Sequence, residues 1–233
     1  MRHPEEDYEL WMPWTDGLRR HVRLPNVGML DCLTRFLRYP FSQAIDLPLN
    51  VVDAGACVGA FVLSAKSLIP NATVMAFEPY PPCWPYLEHN VQGIEGVRLF
   101  KCALGNREGA VRIGKPAGAT VTIGQTSLYG DLSKSFEVKV KRLDDLVTNG
   151  TIHLMKLDVE GAELDVLQGA ERILRKDRPT ILVEIKTKNQ SRAGRKDTDV
   201  VDYLTSLGYG PMGMAPYGDA LFQPVQEMEL AAA

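Results

Sequence analysis

The stretch VVDAGACVGAF (51–61) decides the fold. A short apolar run leads into a turn that contains two glycines, and an apolar helical pattern follows the turn. An apolar run without strict alternation is typical of a strand that is buried on both faces of a sheet. The glycines allow the backbone to curl tightly and to lie against a ligand. Since ligands of open α/β sheets bind at the carboxyl ends of the strands, this turn is the first candidate site.

The same rhythm of short apolar runs and helical patterns continues from residue 50 to about residue 207. It predicts strands that alternate with crossover helices over 60–68, 83–92, 162–174 and 198–207. The fold class that follows is α/β, a doubly wound and mostly parallel sheet. Residues 208–225 have the turn residues and short apolar runs of a closing hairpin.

Two parts of the chain depart from this rhythm. Between residues 105 and 151, AVRIG (110–114) and SFEVKVKRL (135–143) alternate like antiparallel strands around a polar segment, which predicts a β insertion with a loop near the strand ends. Before residue 50, an apolar pattern around 29–38 predicts a helix. We therefore divide the chain into an N-terminal helical cap (1–49) and one larger domain (50–230).

Composition excludes several classes of protein. The 233 residues include 26 Lys and Arg against 29 Asp and Glu, so the chain is acidic and an unlikely binder of nucleic-acid backbone. No apolar run approaches the ~18 residues that a membrane helix needs. Cys32, Cys57, Cys83 and Cys102 form no C-x-x-C pair, which indicates reduced thiols. We expect a cytoplasmic protein with no membrane or nucleic-acid partner; a homo-oligomer is left open.

The sequence of the turn after the first predicted strand of the larger domain indicates which nucleotide cofactor could bind there. A dinucleotide fingerprint needs glycine at position 57, where pyrophosphate approaches the backbone, and this chain has Cys57 there. This disfavours NAD and FAD, and a phosphate-binding P-loop is absent because no Gly-Lys-Ser/Thr follows. The alternative is the D-x-G-x-x-x-G turn of S-adenosylmethionine enzymes, here Asp53, Gly55 and Gly59. Asp53 would accept a hydrogen bond from the cofactor's ammonium group, directly or through water. The structural alternative is that Asp53 caps a helix.

Glu78 closes the next predicted strand, 19 residues after Gly59. An acidic side chain at the end of this strand can accept hydrogen bonds from both ribose hydroxyls of a nucleotide. The structural alternative is a surface turn residue. The two acids on consecutive strands together favour cofactor binding.

The most specific string is KLDVEGAE (156–163). Lys156, Asp158 and Glu160 share one face of a strand by its period of two, and Asp158 would lie at the strand tip beside the sulfonium. Methyl transfer to an alcohol requires a group that accepts the alcohol's proton, and Glu160 or Glu163 is the candidate base. The alternative is that both glutamates only stabilise the first helical turn. Lys156 is interpreted as a structural partner of these acids.

Six segments in order resemble the FkbM-like S-adenosylmethionine-dependent methyltransferases. They are DAGACVGAF (53–61), FEPYPPCWPYLEHNV (77–91), ALGNREGAV (103–111), VKRLDDL (140–146), KLDVEGAELDVLQGA (156–170) and ILVEI (181–185). The resemblance implies a class I methyltransferase, Rossmann-like fold with a seven-stranded sheet. It also implies O-methylation of hydroxyls on sugars, polyketides or other secondary metabolites. One departure is Cys57, which stands where the family usually has Asn.

The resemblance assigns roles by position. Asp53, Gly55 and Gly59 would line the methionine part of the cofactor, Glu78 would hold the ribose, and Ala103 and Leu104 would flank the adenine. The predicted cofactor-binding residues are Asp53, Gly55, Ala56, Cys57, Gly59, Glu78, Pro79, Ala103, Leu104 and Asp158. The predicted catalytic residues are Asp158, Glu160 and Glu163.

Residues that would contact the acceptor are sought outside these motifs. Gln125, Ser127 and Tyr129 in the inserted loop are candidates, with a solvated loop tip as the structural alternative. Glu184 ends the fifth predicted strand and is a further candidate. Two carboxylates, Asp158 and Glu184, are a weak signal for a metal without a third ligand, so no metal is predicted.

The predicted function is therefore transfer of a methyl group from S-adenosylmethionine to a hydroxyl of a small molecule, with S-adenosylhomocysteine as the product. Transfer to nitrogen or to a macromolecule is the alternative within methyltransferases, because the fold does not fix the acceptor. Outside the methyltransferases, the sequence leaves open an NAD-dependent oxidoreductase and a catalytically silent cofactor-binding module.

Overall fold

A computed structural model describes residues 8–13, 19–24, 48–114, 135–214 and 219–225. The strands are β1 (Tyr8–Pro13), β2 (Arg19–Leu24), β3 (Asn50–Ala54), β4 (Thr73–Phe77), β5 (Val97–Phe100), β6 (Ala103–Leu104), β7 (Gly109–Gly114), β8 (Ser135–Lys141), β9 (Leu154–Leu157), β10 (Thr180–Glu184), β11 (Tyr209–Met214) and β12 (Asp219–Pro224). The helices are α1 (Ala60–Leu68), α2 (Trp84–Val91), α3 (Leu143–Leu146), α4 (Glu163–Gln168), α5 (Glu171–Lys176), α6 (Thr187–Arg192) and α7 (Asp197–Ser206), and a 3₁₀ turn (Pro81–Cys83) precedes α2.

Seven strands form the central sheet in the spatial order β11-β12-β10-β9-β3-β4-β5. Strands β5, β4, β3, β9 and β10 pair in parallel, whereas β12 runs antiparallel to both β10 and β11. The predicted α/β class and the mostly parallel seven-stranded sheet are confirmed. The predicted closing hairpin is the pair β11 and β12.

Both faces of the sheet are covered, as the apolar runs predict. Val51 and Val52 are both buried but belong to different core clusters, because consecutive strand residues point to opposite faces. Helices α1 and α2 pack on the face of Val51, and α4, α5 and α7 pack on the face of Val52. Because β4, β3, β9 and β10 run in parallel, their carboxyl ends lie at one edge of the sheet, and the predicted site residues follow them there.

The predicted helix over 162–174 is two short helices, α4 and α5. Between them a side chain on Gly169 would lie 1.9 Å from the carbonyl oxygen of Gly105, so the backbone there packs closely against the loop after β6. The Asp144 carboxylate accepts hydrogen bonds from the backbone N–H groups of Arg172 and Ile173, at 2.8 and 3.1 Å. This long-range cap starts a second helix, and the sequence pattern alone did not reveal it.

The β insertion is confirmed as a three-stranded sheet in the order β6-β8-β7. At the N-terminus, β1 and β2 form an antiparallel hairpin that the sequence analysis did not predict. The predicted helix around 29–38 and the candidate acceptor residues Gln125, Ser127 and Tyr129 lie outside the described residues. In the part of the chain that the structure describes, no helix is long and apolar enough to cross a membrane.

Candidate functional site

The turn after β3 lies directly against the end of β9. Gly55 has φ 83°, and a side chain there would lie 1.9 Å from the backbone carbonyl oxygen of Asp158. The N–H groups of Gly55 and Ala56 both donate to the carbonyl oxygen of Phe77, at 2.9 and 3.0 Å. This glycine therefore brings together the two motifs that the sequence analysis singled out.

Cys57 follows in the same left-handed region, with φ 52°. Among non-glycine residues, Asn populates this region more readily than Cys does, because its short polar side chain bonds to nearby backbone. The backbone conformation thus gives a physical reason for the Asn that FkbM-like sequences usually carry at this position.

Glu78 joins the turns that follow β3 and β4. Its side chain is buried, at 6% exposure, and its two carboxylate oxygens accept hydrogen bonds from the backbone N–H groups of Cys57 at 2.7 Å and Tyr80 at 2.8 Å. Burial raises the pKa of Glu78 to about 7, although both hydrogen bonds act against this change. Each oxygen keeps a further lone pair with which it can accept a ligand hydroxyl.

An ion pair between Asp53 and Lys156 connects β3 to β9 next to the turn that follows β3. Asp53 and Lys156 are direct neighbours on the parallel strands β3 and β9, and Asp53 is fully buried. The Lys156 ammonium lies 3.1 Å from an Asp53 carboxylate oxygen, donates to the Gly55 carbonyl at 2.8 Å and lies 3.9 Å from Asp158. Burial favours the neutral amine, but the charges of Asp53 and Asp158 outweigh it and raise the pKa of Lys156. The lysine is therefore a permanent cation that holds the turn to β9.

Within the described residues, Lys156 is the charged partner of one Asp53 oxygen, and the other Asp53 oxygen accepts no hydrogen bond.

Acidic side chains converge at the ends of β9 and β10. One carboxylate oxygen each of Asp158, Glu160 and Glu184 lies within 4.8 Å of the others. Burial, and then the charge of Asp158, raise the pKa of Glu184 to about 7, while the Lys186 ammonium at 2.7 Å opposes this change. Burial and the charge of Asp158 also raise the pKa of Glu160. Glu184 can therefore accept a proton near neutral pH. Three carboxylates so placed can also hold a divalent cation, which the sequence analysis did not predict.

Glu163 has a different environment from Glu160. It is 1% exposed; one carboxylate oxygen accepts from the N–H groups of Gly161 and Val159 at 3.1 and 3.3 Å, and the other accepts from Gln190 at 2.6 Å. These bonds hold the turn before α4 in place. Of the two candidate bases, the arrangement favours Glu160 and gives Glu163 a structural task.

A cavity of about 200 Å³ lies above these strand ends. The predicted residues that line it are Gly55, Cys57, Glu78, Pro79, Ala103, Leu104, Asp158 and Glu160. The predicted residues that do not line it are Asp53, Ala56, Gly59, Glu163 and Glu184. Cys83, Cys102 and Ile113 form part of its apolar wall and were missed by the sequence analysis. Ile113 comes from the β insertion, and its inward position on β7 follows from the alternation that predicted that strand.

Comparisons with known proteins agree with this geometry. Residues 53–211 match the family model described as the methyltransferase FkbM domain. The chain is 30% identical over 153 residues to the 31-O-demethyl-FK506 methyltransferase FkbM of Streptomyces tacrolimicus, covering 52% of this chain and 59% of that protein. It is 26% identical over 146 residues to the 2-O-methyltransferase NoeI of Sinorhizobium fredii, covering 55% of this chain and 60% of that protein.

Among solved structures, the FkbM methyltransferase of Methylobacillus flagellatus matches with a TM-score of 0.53 at 18% identity, covering 79% of this chain and 46% of that one. This likeness supports the class I methyltransferase fold. The matched segments span about three fifths of the length of the two curated relatives.

Proposed function

The chain belongs to the methyltransferase FkbM domain family, and from this premise we propose that it transfers a methyl group from S-adenosylmethionine to a hydroxyl of a small molecule. The observation that carries the proposal is the charge of the cavity. Among the described residues that line it, Glu78, Asp158 and Glu160 are acidic, and none is Lys or Arg. A cationic sulfonium is favoured in such a cavity, whereas the pyrophosphate of NAD would meet carboxylates and, in the described part of the wall, no basic side chain.

The residues present fit the adenosyl cofactor. The turn at Gly55 has no side chain to fill the cavity beside Asp158. Glu78 would hold the ribose hydroxyls, and Ala103 and Leu104 offer an apolar edge for the adenine. Asp53, which the sequence analysis assigned to the ammonium of the methionine part, is fully buried against Lys156 and does not line the cavity.

The chemistry then divides between the cofactor and the chain. S-adenosylmethionine supplies, when bound, an electrophilic methyl group on a positively charged sulfur. Lys156 keeps the Gly55 carbonyl and Asp158 in place, and these groups form part of the wall against which the cofactor would lie. Glu160, whose pKa is raised by burial and by Asp158, accepts the proton that the acceptor hydroxyl loses.

The choice of a hydroxyl acceptor is supported by two observations. The acids at the ends of β9 and β10 provide a proton acceptor, which an alcohol needs as it attacks. Two relatives, the 2-O-methyltransferase NoeI and the 31-O-demethyl-FK506 methyltransferase FkbM, are named for transfer to oxygen.

The cofactor is tested by isothermal titration calorimetry. We expect S-adenosylhomocysteine to bind and NADH not to bind. Glu78→Ala should weaken the binding of S-adenosylhomocysteine by about tenfold, since it removes the acceptor of two ribose hydrogen bonds that contribute about 0.5–1.5 kcal/mol each. Glu88→Ala is the matched control, because Glu88 is an exposed glutamate in an ion pair with Lys101 and does not line the cavity.

Two results would contradict the proposal. Binding of NADH without any response to S-adenosylhomocysteine would make the chain an oxidoreductase candidate. Equal loss of affinity in the Glu78 and Glu88 variants would remove the ribose assignment. Transfer of radiolabelled methyl groups to a panel of hydroxylated and amino acceptors then separates oxygen from nitrogen transfer.

A further inference from the structure

We propose that a second cavity, next to the cofactor cavity, binds the phosphate or carboxylate group of a small molecule. Its volume is about 450 Å³, and its wall runs from Ala103 to Arg112, over β6, β7 and the turn between them. Val140 of β8 and, at the start of α4, Ala162 and Asp165 complete the described wall. The anion site itself does not depend on the proposed function, whereas its use by a methyl acceptor does.

The second cavity adjoins the cofactor cavity. Ala103, Leu104 and Ala162 line both of them. Ala103 and Leu104 are the residues that we assign to the adenine, and Ala162 comes two residues after Glu160. A ligand in the second cavity would therefore lie beside a bound cofactor, along the wall that the two cavities share.

The acids in the wall of the second cavity are already paired. Glu108 forms an ion pair with Lys141, and Asp165 forms one with Arg195 at 2.8 Å. Asp165 also accepts a hydrogen bond from the side-chain amide of Asn106 at 2.9 Å. Neither Lys141 nor Arg195 belongs to the described wall. Each acid therefore has its charge compensated by a neighbour and adds little negative charge to the cavity.

The two arginines in the same wall have no acidic partner. Among the described residues, Arg107 forms no ion pair, and Arg112 donates only to the neutral hydroxyl of Ser135, from its Nε at 2.9 Å. Glu137 lies opposite Arg112 in the register of β7 and β8, but the two side chains form no ion pair. Both guanidinium groups therefore keep terminal N–H groups, whose planar fork suits the oxygens of a phosphate or a carboxylate.

The two neighbouring cavities thus differ in charge. The described wall of the cofactor cavity contains acids and no Lys or Arg, whereas the second cavity has two uncompensated arginines. A cation is favoured in the first cavity and an anion in the second. Two cations suit a single anionic group, because a polyanion such as nucleic acid needs an extended basic surface, and this chain has a net charge of −3.

The test titrates the chain with inorganic phosphate by isothermal titration calorimetry, at low ionic strength because salt screens exposed charges. We expect binding, and Arg107→Gln and Arg112→Gln should each weaken it by about tenfold, the contribution of one charge-assisted hydrogen bond. Arg192→Gln is the matched control. Arg192 is also exposed, forms no ion pair among the described residues and does not line the cavity. All three variants remove the same charge, so an effect of net charge alone would be equal in each.

A fourth variant should act in the opposite direction. Glu108→Gln removes the acid that pairs with Lys141, so the wall loses a negative charge and Lys141 becomes available to an anion. Phosphate should then bind roughly twofold to fivefold more tightly, as expected for one exposed charge pair. Partial unfolding of a variant would not produce this gain.

The anionic group can belong to the methyl acceptor or to a separate effector, and transfer of radiolabelled methyl groups distinguishes these sources. Hydroxylated compounds are compared with their phosphate esters, for example glycerol with glycerol phosphate. If the acceptor carries the group, the ester is the better substrate, and Arg107→Gln removes the preference. If an effector carries it, inorganic phosphate changes the methylation of the neutral compound, and Arg107→Gln removes that change.

Absence of phosphate binding to the unmodified chain would overturn the proposal. So would equal weakening in Arg192→Gln and in the two cavity variants, because binding would then depend on net charge and not on the second cavity. The phosphate titrations use the chain without cofactor. A failure of S-adenosylhomocysteine to bind would therefore remove the proposed function and leave the result for the anion site standing.

Discussion

Cys57 combines a strained backbone with a place in the cofactor cavity. Its φ of 52° lies in the region that glycine and Asn adopt most readily, and its N–H donates to Glu78. The side chain also packs beside the small apolar cluster of Tyr80, Cys83, Ile113 and Val138. A thiol at this position therefore gains some packing and carries a conformational cost.

Cys57→Asn should stabilise the fold by about 0.5–1 kcal/mol, because Asn tolerates the left-handed conformation. The measurement is the free energy of unfolding in urea, and Cys57→Ala is the control. Ala is also small but has no preference for this region, so it should give no gain. If Ala stabilised the fold as much as Asn, the gain would come from loss of the thiol and not from the backbone.

At the scale of elements, the site depends on the contact between the turn after β3 and the end of β9. Gly55 makes this contact possible, and Lys156 reinforces it through the Gly55 carbonyl. Glu78 joins the same turn to the one after β4. The ends of three neighbouring strands, β9, β3 and β4, are thus connected, and each contact involves the backbone of the turn after β3.

Gly55→Ala tests this contact. The added methyl group would lie 1.9 Å from the Asp158 carbonyl oxygen, which is backbone and cannot rotate away, and the φ of 83° adds strain. We expect a loss of more than about 2 kcal/mol in the free energy of unfolding, together with loss of binding of S-adenosylhomocysteine. Gly109→Ala is the matched control, since a side chain there meets nothing within 4 Å. Similar losses in both variants would mean that the turn is not held against β9.

The elements that sequence predicts well are those whose burial is local. Strand β3 and helix α1 follow directly from the apolar run and the helical pattern around the first turn, and α1 has the predicted bounds. The break between α4 and α5 did not follow, because it depends on Asp144 and Gly105, which are distant in sequence. The different environments of Glu160 and Glu163 also did not follow from the sequence. They depend on helix α6, where Asn189 donates to Glu160 and Gln190 donates to Glu163.

At the scale of the whole molecule, the sheet divides the site into two halves. The ends of β3 and β4 supply the turn and Glu78, which we assign to the cofactor. The ends of β9 and β10 supply the acids that we assign to the acceptor. The β insertion contributes Ile113 to the first half. The molecule therefore buries several carboxyl groups at one edge, and their ionisation affects its stability.

The pH dependence of stability tests the burial of Glu78. Its pKa is raised from a usual value of 4.5 to about 7 in the folded chain, mainly by burial. The folded chain therefore binds this proton more tightly than the unfolded chain does. The resulting stabilisation is fully present below about pH 4.5, and it is lost as the pH rises through about 7.

Glu78→Gln removes this proton. Between pH 5 and pH 8, the free energy of unfolding of the unmodified chain should fall relative to that of Glu78→Gln by on the order of 2–3 kcal/mol. Urea unfolding at each pH gives this difference, and the other buried acids cancel because both chains contain them. Glu88→Gln, at an exposed position, should follow the unmodified chain. A difference between the two chains that did not change with pH would mean that Glu78 is ionised at pH 5 in the folded chain, and that burial does not raise its pKa.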